Sequence, residues 1–333
     1  MTQRQASRLR GRPQKSVFAI AGSLALSVAF AASAFGVSPA PPPKPPLAYT
    51  GYATPVTASS ATVKARVNPR GLASEYHFEY GPTVTYGSQT PSASAGSGTQ
   101  EELFSATLTG LEPYTTYHYR IVANSSAGTT TGQDATFTTK KVPLSLALGA
   151  TPNPVVFGSP LTVSGTLSGT GNAGVEVVLQ GNSFPYTHGF HDLTSAEPTE
   201  ASGGFSFPVA GLLQGTQLRA ATVAKPVIYS PVFTEAVTIR VILHARSTHR
   251  QGFVRFYGVV APSAPGAPVA IERMNSAHRY VTVSGTAVHG RNGISQFACT
   301  VRLRRRGLYR ALVLSPSPGG AQISGRSEPI LIR

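Results

Sequence analysis

In ATVKARVN, Val63, Ala65 and Val67 alternate with Lys64 and Arg66, and EYHFEYG repeats the pattern, with Tyr76, Phe78 and Tyr80 set against Glu75, His77 and Glu79. A period of two puts each set of side chains on its own face of an extended strand, so one face can be buried while the other stays wet. The period returns in Phe104, Ala106 and Leu108 and in Ala135 and Phe137, and no long helical period competes with it. With 34 glycines and 27 prolines to turn the chain and only 12% charged residues, this predicts an all-β fold of many short strands. A chain of 333 residues exceeds one ordinary sandwich and suits two to three domains.

The single cysteine, Cys299, excludes an internal disulfide, so burial alone must hold the strands. No Cys/His nucleophile pattern surrounds it, and it reads as a buried thiol.

The N-terminus has a different character. Arg4, Arg8, Arg10, Arg12 and Lys15 precede an uncharged run over residues 16–36, which holds Ala32-Ser33-Ala34 as a small-residue processing site. This order is that of an export signal, and the absence of an adjacent Arg pair favours the general secretory route. The run is also about 20 residues long, enough to span a bilayer as an uncleaved anchor. Either outcome implies a secreted or cell-surface protein whose only membrane contact is this segment. Processing after Ala34 would lower the formal net charge from +15 to +10. An exported basic chain is drawn to anionic envelope polymers by a salt-screened attraction, and export argues against a nucleic-acid partner.

Residues 37–49, containing SPAPPPKPPL, predict an extended proline-rich spacer. The region 50–140 follows. In GLEPYTTYHYRIVANSSAG, Tyr117, Tyr119, Ile121 and Ala123 share one face, and Leu111 and Pro113 set a bend ahead of Tyr117. A tyrosine so placed can bury its ring and tie its hydroxyl to backbone a few residues upstream, the arrangement of a tyrosine corner. On these residues, with Thr115, Asn124 and Gly128, the region resembles a fibronectin type III domain, and ATVKARVNPRG and EYHFEYGPTVTYG resemble strands B and C of its bacterial form. The resemblance implies a β-sandwich and by itself decides nothing about catalysis, since sandwiches host many functions. Many members carry a core Trp; this chain has none, so Tyr76, Phe78 and Tyr80 are expected to fill that volume.

An internal repeat occupies the remainder, dividing it into 143–241 and 242–333. LTVSGTL matches VRFYGVV through Gly165 and Gly258; GVEVVL matches GAPVAI through Gly174 and Gly266; LRA (218–220) matches YRA (309–311), and VTIR (237–240) matches ILIR (330–333). Both halves resemble bacterial immunoglobulin-like domains in strand pattern, without the cysteine pair and intervening Trp.

Two segments are candidate binding sites. FPYTHGFHD groups Phe184, Tyr186, His188, Phe190, His191 and Asp192, either as rings and polar groups for a glycan or as a loop folded back on the sandwich edge. The spacing of its histidines and aspartate supplies no metal site. RLRRRGLYR predicts a strand with Arg302, Arg304 and Arg306 on one face, either to contact an anionic polymer or to keep a sheet edge soluble. No nucleophile elbow, P-loop or metalloprotease motif occurs and no cofactor is implied. The expected function is that of an exported structural or adhesive protein whose partner is an anionic envelope polymer, a glycan or another surface protein. The alternative is a carbohydrate-binding accessory protein using 184–192.

Overall fold

The computed structural model describes residues 41–291, 294–316 and 319–333. The signal or anchor segment, its processing site and the first residues of the proline-rich spacer lie outside the described residues. Every regular element described is a strand, as the alternation requires.

The first module runs β1 (Leu47–Val56), β2 (Ser60–Asn68), β3 (Ser74–Gly81), β4 (Ser88–Gln89), β5 (Ala93–Gly96), β6 (Glu102–Thr109), β7 (Thr116–Ser125), β8 (Gly128–Thr131) and β9 (Ala135–Thr138). One sheet has the order β1-β2-β6; the other centres on β3 and β7, with β4 and β5 beside β3 and β8 and β9 beside β7. The two sheets close around one buried cluster as a β-sandwich. The second module comprises β10 (Ser145–Thr151), β11 (Val155–Val156), β12 (Leu161–Ser168), β13 (Glu176–Ser183), β14 (His191–Asp192), β15 (Glu197–Pro198), β16 (Gly204–Val209), β17 (Thr216–Thr222), β18 (Phe233–Glu235) and β19 (Val237–Thr238). Its sheets are β10-β12-β16 and the β13–β17 pair with its edge strands, and β11 pairs with β19 in parallel. The third is built of β20 (Arg240–Ser247), β21 (Phe253–Ala261), β22 (Pro268–Met274), β23 (Tyr280–Ala287), β24 (His289–Arg291), β25 (Ile294–Arg302), β26 (Gly307–Val313), β27 (Gly325–Arg326) and β28 (Ile330–Ile332). It sets β20-β21-β25-β24 against β23-β22-β26 and the last two strands. Both later modules are β-sandwiches, each closed around its own buried cluster.

Three buried clusters fill these modules, centred on Phe78 and Tyr119, on Leu179 and Phe207, and on Phe256 and Tyr309. Tyr76, Phe78 and Tyr80 all meet the core, unequally. Phe78 is fully buried, but Tyr76 and Tyr80 are only half-buried, and the large inner ring is Tyr119, whose hydroxyl donates to the Gly51 carbonyl at 2.7 Å.

The tyrosine corner is present. Tyr117 is buried against Phe137, its ring stacked at 5.7 Å, and its hydroxyl oxygen accepts the Glu112 N–H at 3.0 Å. Leu111 is buried beneath the bend, and the Pro113 carbonyl accepts from the Thr115 hydroxyl.

The repeat has a physical cause at its glycines. Gly165 pairs with Phe205 across β12 and β16, and Gly258 pairs with Phe297 across β21 and β25. A Cβ at either glycine would overlap that ring and a neighbouring carbonyl, so each phenylalanine lies over a bare backbone. One matched pair requires correction. Leu218 pairs with Phe233 and Tyr309 with Ile330, which sets 233–236, not VTIR, against ILIR. Two segments alternating at period two match equally well after an even slip; the ladder register alone chooses.

Modules two and three are joined by more than the chain. Ile239 N–H donates to Ile323 O at 3.0 Å and Ile323 N–H to Val237 O at 2.8 Å, while Gly215 N–H reaches Ala321 O at 2.6 Å. The Gln322 side-chain amide adds a bond to Leu213 O at 2.7 Å. The loop between β26 and β27 therefore holds the linker as a strand holds its neighbour.

Glu235 is fully buried; its Oε1 accepts the Val155 N–H at 2.9 Å, and Oε2 has no hydrogen-bond partner among the described residues. Burial raises its pKa above the ordinary glutamate value, partly opposed by that N–H. The raised value favours the neutral acid in the fold. Its stabilising contribution is therefore whole below the unfolded-state pKa and is lost as pH rises through the folded-state value.

Two outcomes follow. Tyr117→Phe leaves the Glu112 N–H unpaired and should destabilise the chain by about 1–2 kcal/mol in urea titration. Glu235→Gln keeps an acceptor without the charge, so it should stabilise the chain at pH 7 by about 1–2 kcal/mol and flatten the fall in melting temperature from the glutamate range upward.

Candidate functional site

The paired strands β3–β7, β13–β17 and β22–β26 turn one face to the core and the other to solvent. On each outer face an arginine lies opposite an acid or amide: Arg120 opposite Glu79, Arg219 opposite Gln180, and Arg310 opposite Glu272. The arginine Nε donates across the pair at 2.7, 2.8 and 2.7 Å respectively. Each guanidinium is also covered by rings: Tyr86 at 4.6 Å, Phe190 and Tyr229 at 4.1 and 4.2 Å, and Tyr280 at 3.7 Å. A planar cation that stacks and hydrogen-bonds at once suits this place, and a lysine does not.

This arrangement accounts for much of the 184–192 segment. Phe190 is one of the two rings that enclose Arg219, and Asp192 accepts from the Gln180 amide at 2.9 Å, so the loop closes over the sheet. Phe184 and Tyr186 meet edge to face at 5.6 Å, and the Tyr186 carbonyl accepts from the Asn182 side chain. His188 and His191 remain exposed. The structure thus places Phe190 on Arg219, Asp192 on its partner Gln180, and Phe184 against Tyr186. Among the described residues no trio of His, Cys, Asp or Glu is placed to hold a metal ion.

The basic C-terminal segment departs from the expected single strand. Arg302 ends β25, whereas Arg304 and Arg306 lie in the turn before β26. Three contacts impose the turn. Leu303 packs on the core and its N–H donates to Gly252 O at 2.8 Å, Tyr309 donates its hydroxyl to Arg305 O at 2.6 Å, and Gly307 opens β26 at a φ of 137°. The last of these is a conformation glycine adopts without a Cβ penalty.

That turn lies beside Arg250, which follows β20, and beside the terminal Arg333, around one hollow. Sequence reading missed these partners because it averaged the charge over the whole chain. Residues 35–241 hold ten basic and eleven acidic residues, whereas 242–333 hold thirteen arginines, no lysine and two glutamates. A segment-by-segment charge count was the signal that could have found them. Glu272 is held by Arg310, and among the described residues no ion pair involves Arg246, Arg250, Arg255, Arg302, Arg304, Arg305 or Arg306. The third module is arginine-rich and the first two are nearly neutral. Unpaired guanidiniums can attract an anion at a distance and hold it bidentately at contact.

No protein-family model matches the chain, and no curated protein matches it either. Among solved structures it is similar to the FN1–FN3 domains of chicken CNTN1, at 13% identity over 87% of this chain and 99% of that one, with a TM-score of 0.31. It is also similar to titin domains A168–A170 (12% identity, 86% and 98% covered, TM-score 0.34) and to a tetra-tandem repeat in the extending region of a large adhesion protein (14%, 86% and 74%, TM-score 0.28).

The arginine pairings differ in burial, and their removal should rank accordingly. Glu272 is 11% exposed at its side chain and Glu79 28%. Arg310→Met strands the more buried carboxylate and should cost about 2–4 kcal/mol, against about 1 kcal/mol for Arg120→Met, as read by chemical denaturation.

Proposed function

We propose that this is an exported structural or adhesive protein, secreted or held at the cell surface, whose first two modules act as a spacer and whose third attaches it to anionic polymer of the cell envelope. One observation carries the reading: the charge separates along the chain, near balance over 35–241 and thirteen arginines against two glutamates over 242–333. Fold stability does not call for that separation. Self-repulsion among clustered arginines works against the folded module, so their accumulation is understandable when an anion neutralises them. The ties between Ile239 and Ile323 and between Gly215 and Ala321 suit the role too, since they let the second module carry a load to the third without a slack joint. The sheets of each module close through burial and ladder bonds with no disulfide, which fits a scaffold whose stability does not depend on redox state.

Retention of the full chain on an immobilised anionic polymer, compared with a neutral one of the same size, tests this. Binding should be confined to the anionic polymer and fall by about two orders of magnitude or more between 50 and 500 mM salt. Equal retention on both, or retention indifferent to salt, would overturn the reading.

A further inference from the structure

The outer face of β20-β21-β25-β24 contains a hollow apart from the arginine-rich turn. Ladder register puts its outward residues in rows. Ile242 lies opposite Val259, which faces Gln296, which faces His289; His244 lies opposite Tyr257, which faces Ala298; and Arg246 lies opposite Arg255, which faces Thr300. Ala298 is the small residue among them, and the sheet is recessed there. His244, Tyr257, His289 and Gln296 wall the recess, and Arg246 and Arg255 form its rim. Its volume is about 450 Å³, enough for one or two sugar rings.

Three features define what would fit. First, Arg246 and Arg255 are directly opposed, an arrangement that is unfavourable in a sheet unless an anion lies between them. Both are exposed, and the glutamates of residues 242–333 sit elsewhere, Glu272 on β22 and Glu328 between β27 and β28. Second, the walls offer hydroxyl, imidazole and amide groups, each able to bond a ligand hydroxyl. Third, His244 and Tyr257 stack on each other at 5.5 Å and 29°, which fixes both rings and leaves their polar edges, and the Tyr257 face beside Ala298, to the recess. A ring bearing hydroxyls and one negative group has partners on every side.

We propose that this hollow is a binding site for an anionic sugar unit of an acidic polysaccharide, with Arg246 and Arg255 holding the carboxylate or sulfate and Tyr257, His244, His289 and Gln296 bonding the ring hydroxyls. The proposal rests on the attachment role above and names the site and ligand class through which it operates. Strand-borne arginines fix the spacing of the two guanidiniums, whereas Arg304, Arg305 and Arg306 in the turn add long-range attraction without selecting a sugar.

Calorimetric titration of the full chain with four probes tests it: a uronate oligosaccharide, a sulfated oligosaccharide, a neutral oligosaccharide, and inorganic polyphosphate of matched charge. One or both acidic sugars should bind, and which one identifies the anionic group; the neutral one should not. Replacing both Arg246 and Arg255 by Gln should weaken acidic-sugar binding about tenfold or more. Tyr257→Phe and Gln296→Ala should weaken sugar binding and leave polyphosphate binding unchanged. Unchanged melting temperatures establish that each variant is folded, and Arg304→Gln with Arg306→Gln removes the same charge from the turn as a control. Equal losses in that control and the rim variant, or tighter polyphosphate binding indifferent to Tyr257 and Gln296, would reduce the site to general cation attraction and overturn the proposal. A chain retained on anionic polymer despite loss of the Arg246–Arg255 rim would sink this site and leave the attachment role standing; a chain retained on no anionic polymer would sink that role itself.

Discussion

Each module depends on the inner face of one strand pair. In β3–β7, β13–β17 and β22–β26 the inward residues Phe78 and Tyr119, Leu179 and Leu218, and Ile271 and Tyr309 are almost wholly removed from water. Burying one such side chain contributes about 1.5–3 kcal/mol, and no covalent bridge supplements it. If these faces were lost, the opposing sheets would have nothing to close against, and the corners, loops and edge strands would lose their support.

The other devices serve that closure. Tyr117 and Tyr309 each fasten a ring inside the sandwich to backbone outside it, and in the ladder alignment of β7 with β26 they stand two positions apart. The purpose is the same and the location is not, because any inward position near the bend lets a phenol reach a loop. Gly165 and Gly258 act in the complementary sense, since a missing side chain makes room for the ring from the neighbouring strand and a bulky aromatic packs where a Cβ would block it. On the solvent side the three stacked arginines clamp the same strand pairs from outside. Thus the two faces of one ladder are stabilised by different physics, apolar burial within and cation–ring contact without.

Charge is where this chain departs from a plain string of sandwiches. Thirteen arginines fall in the last module against two glutamates, and guanidiniums fixed on strands can select an anion as well as attract it. The modules ahead of it are near balance, with ten basic and eleven acidic residues over 35–241. In the scheme proposed above, the outer turn gathers an anionic polymer and the sheet face above Ala298 reads it.

Much of the fold was legible in the residues themselves. Alternation in VKARV, EYHFEY and YHYRIVA commits those segments to strands because only extended backbone separates the two sets of side chains, and Leu111, Pro113 and Tyr117 announce their corner through local spacing. The sequence also contained the repeat in its glycines, and the arginine excess for anyone counting by segment. Tertiary structure alone decided the rest. Which even slip aligns the final strands, how Phe190 comes to rest on Arg219, why Arg304 leaves the sheet, and that His244, Tyr257, Gln296 and His289 meet around Ala298 all depend on ladder register between segments far apart in the chain. Alternation specifies which face a residue takes and is silent about its neighbour across the sheet; that neighbour is chosen only when whole sheets pack and every buried face must be filled at once.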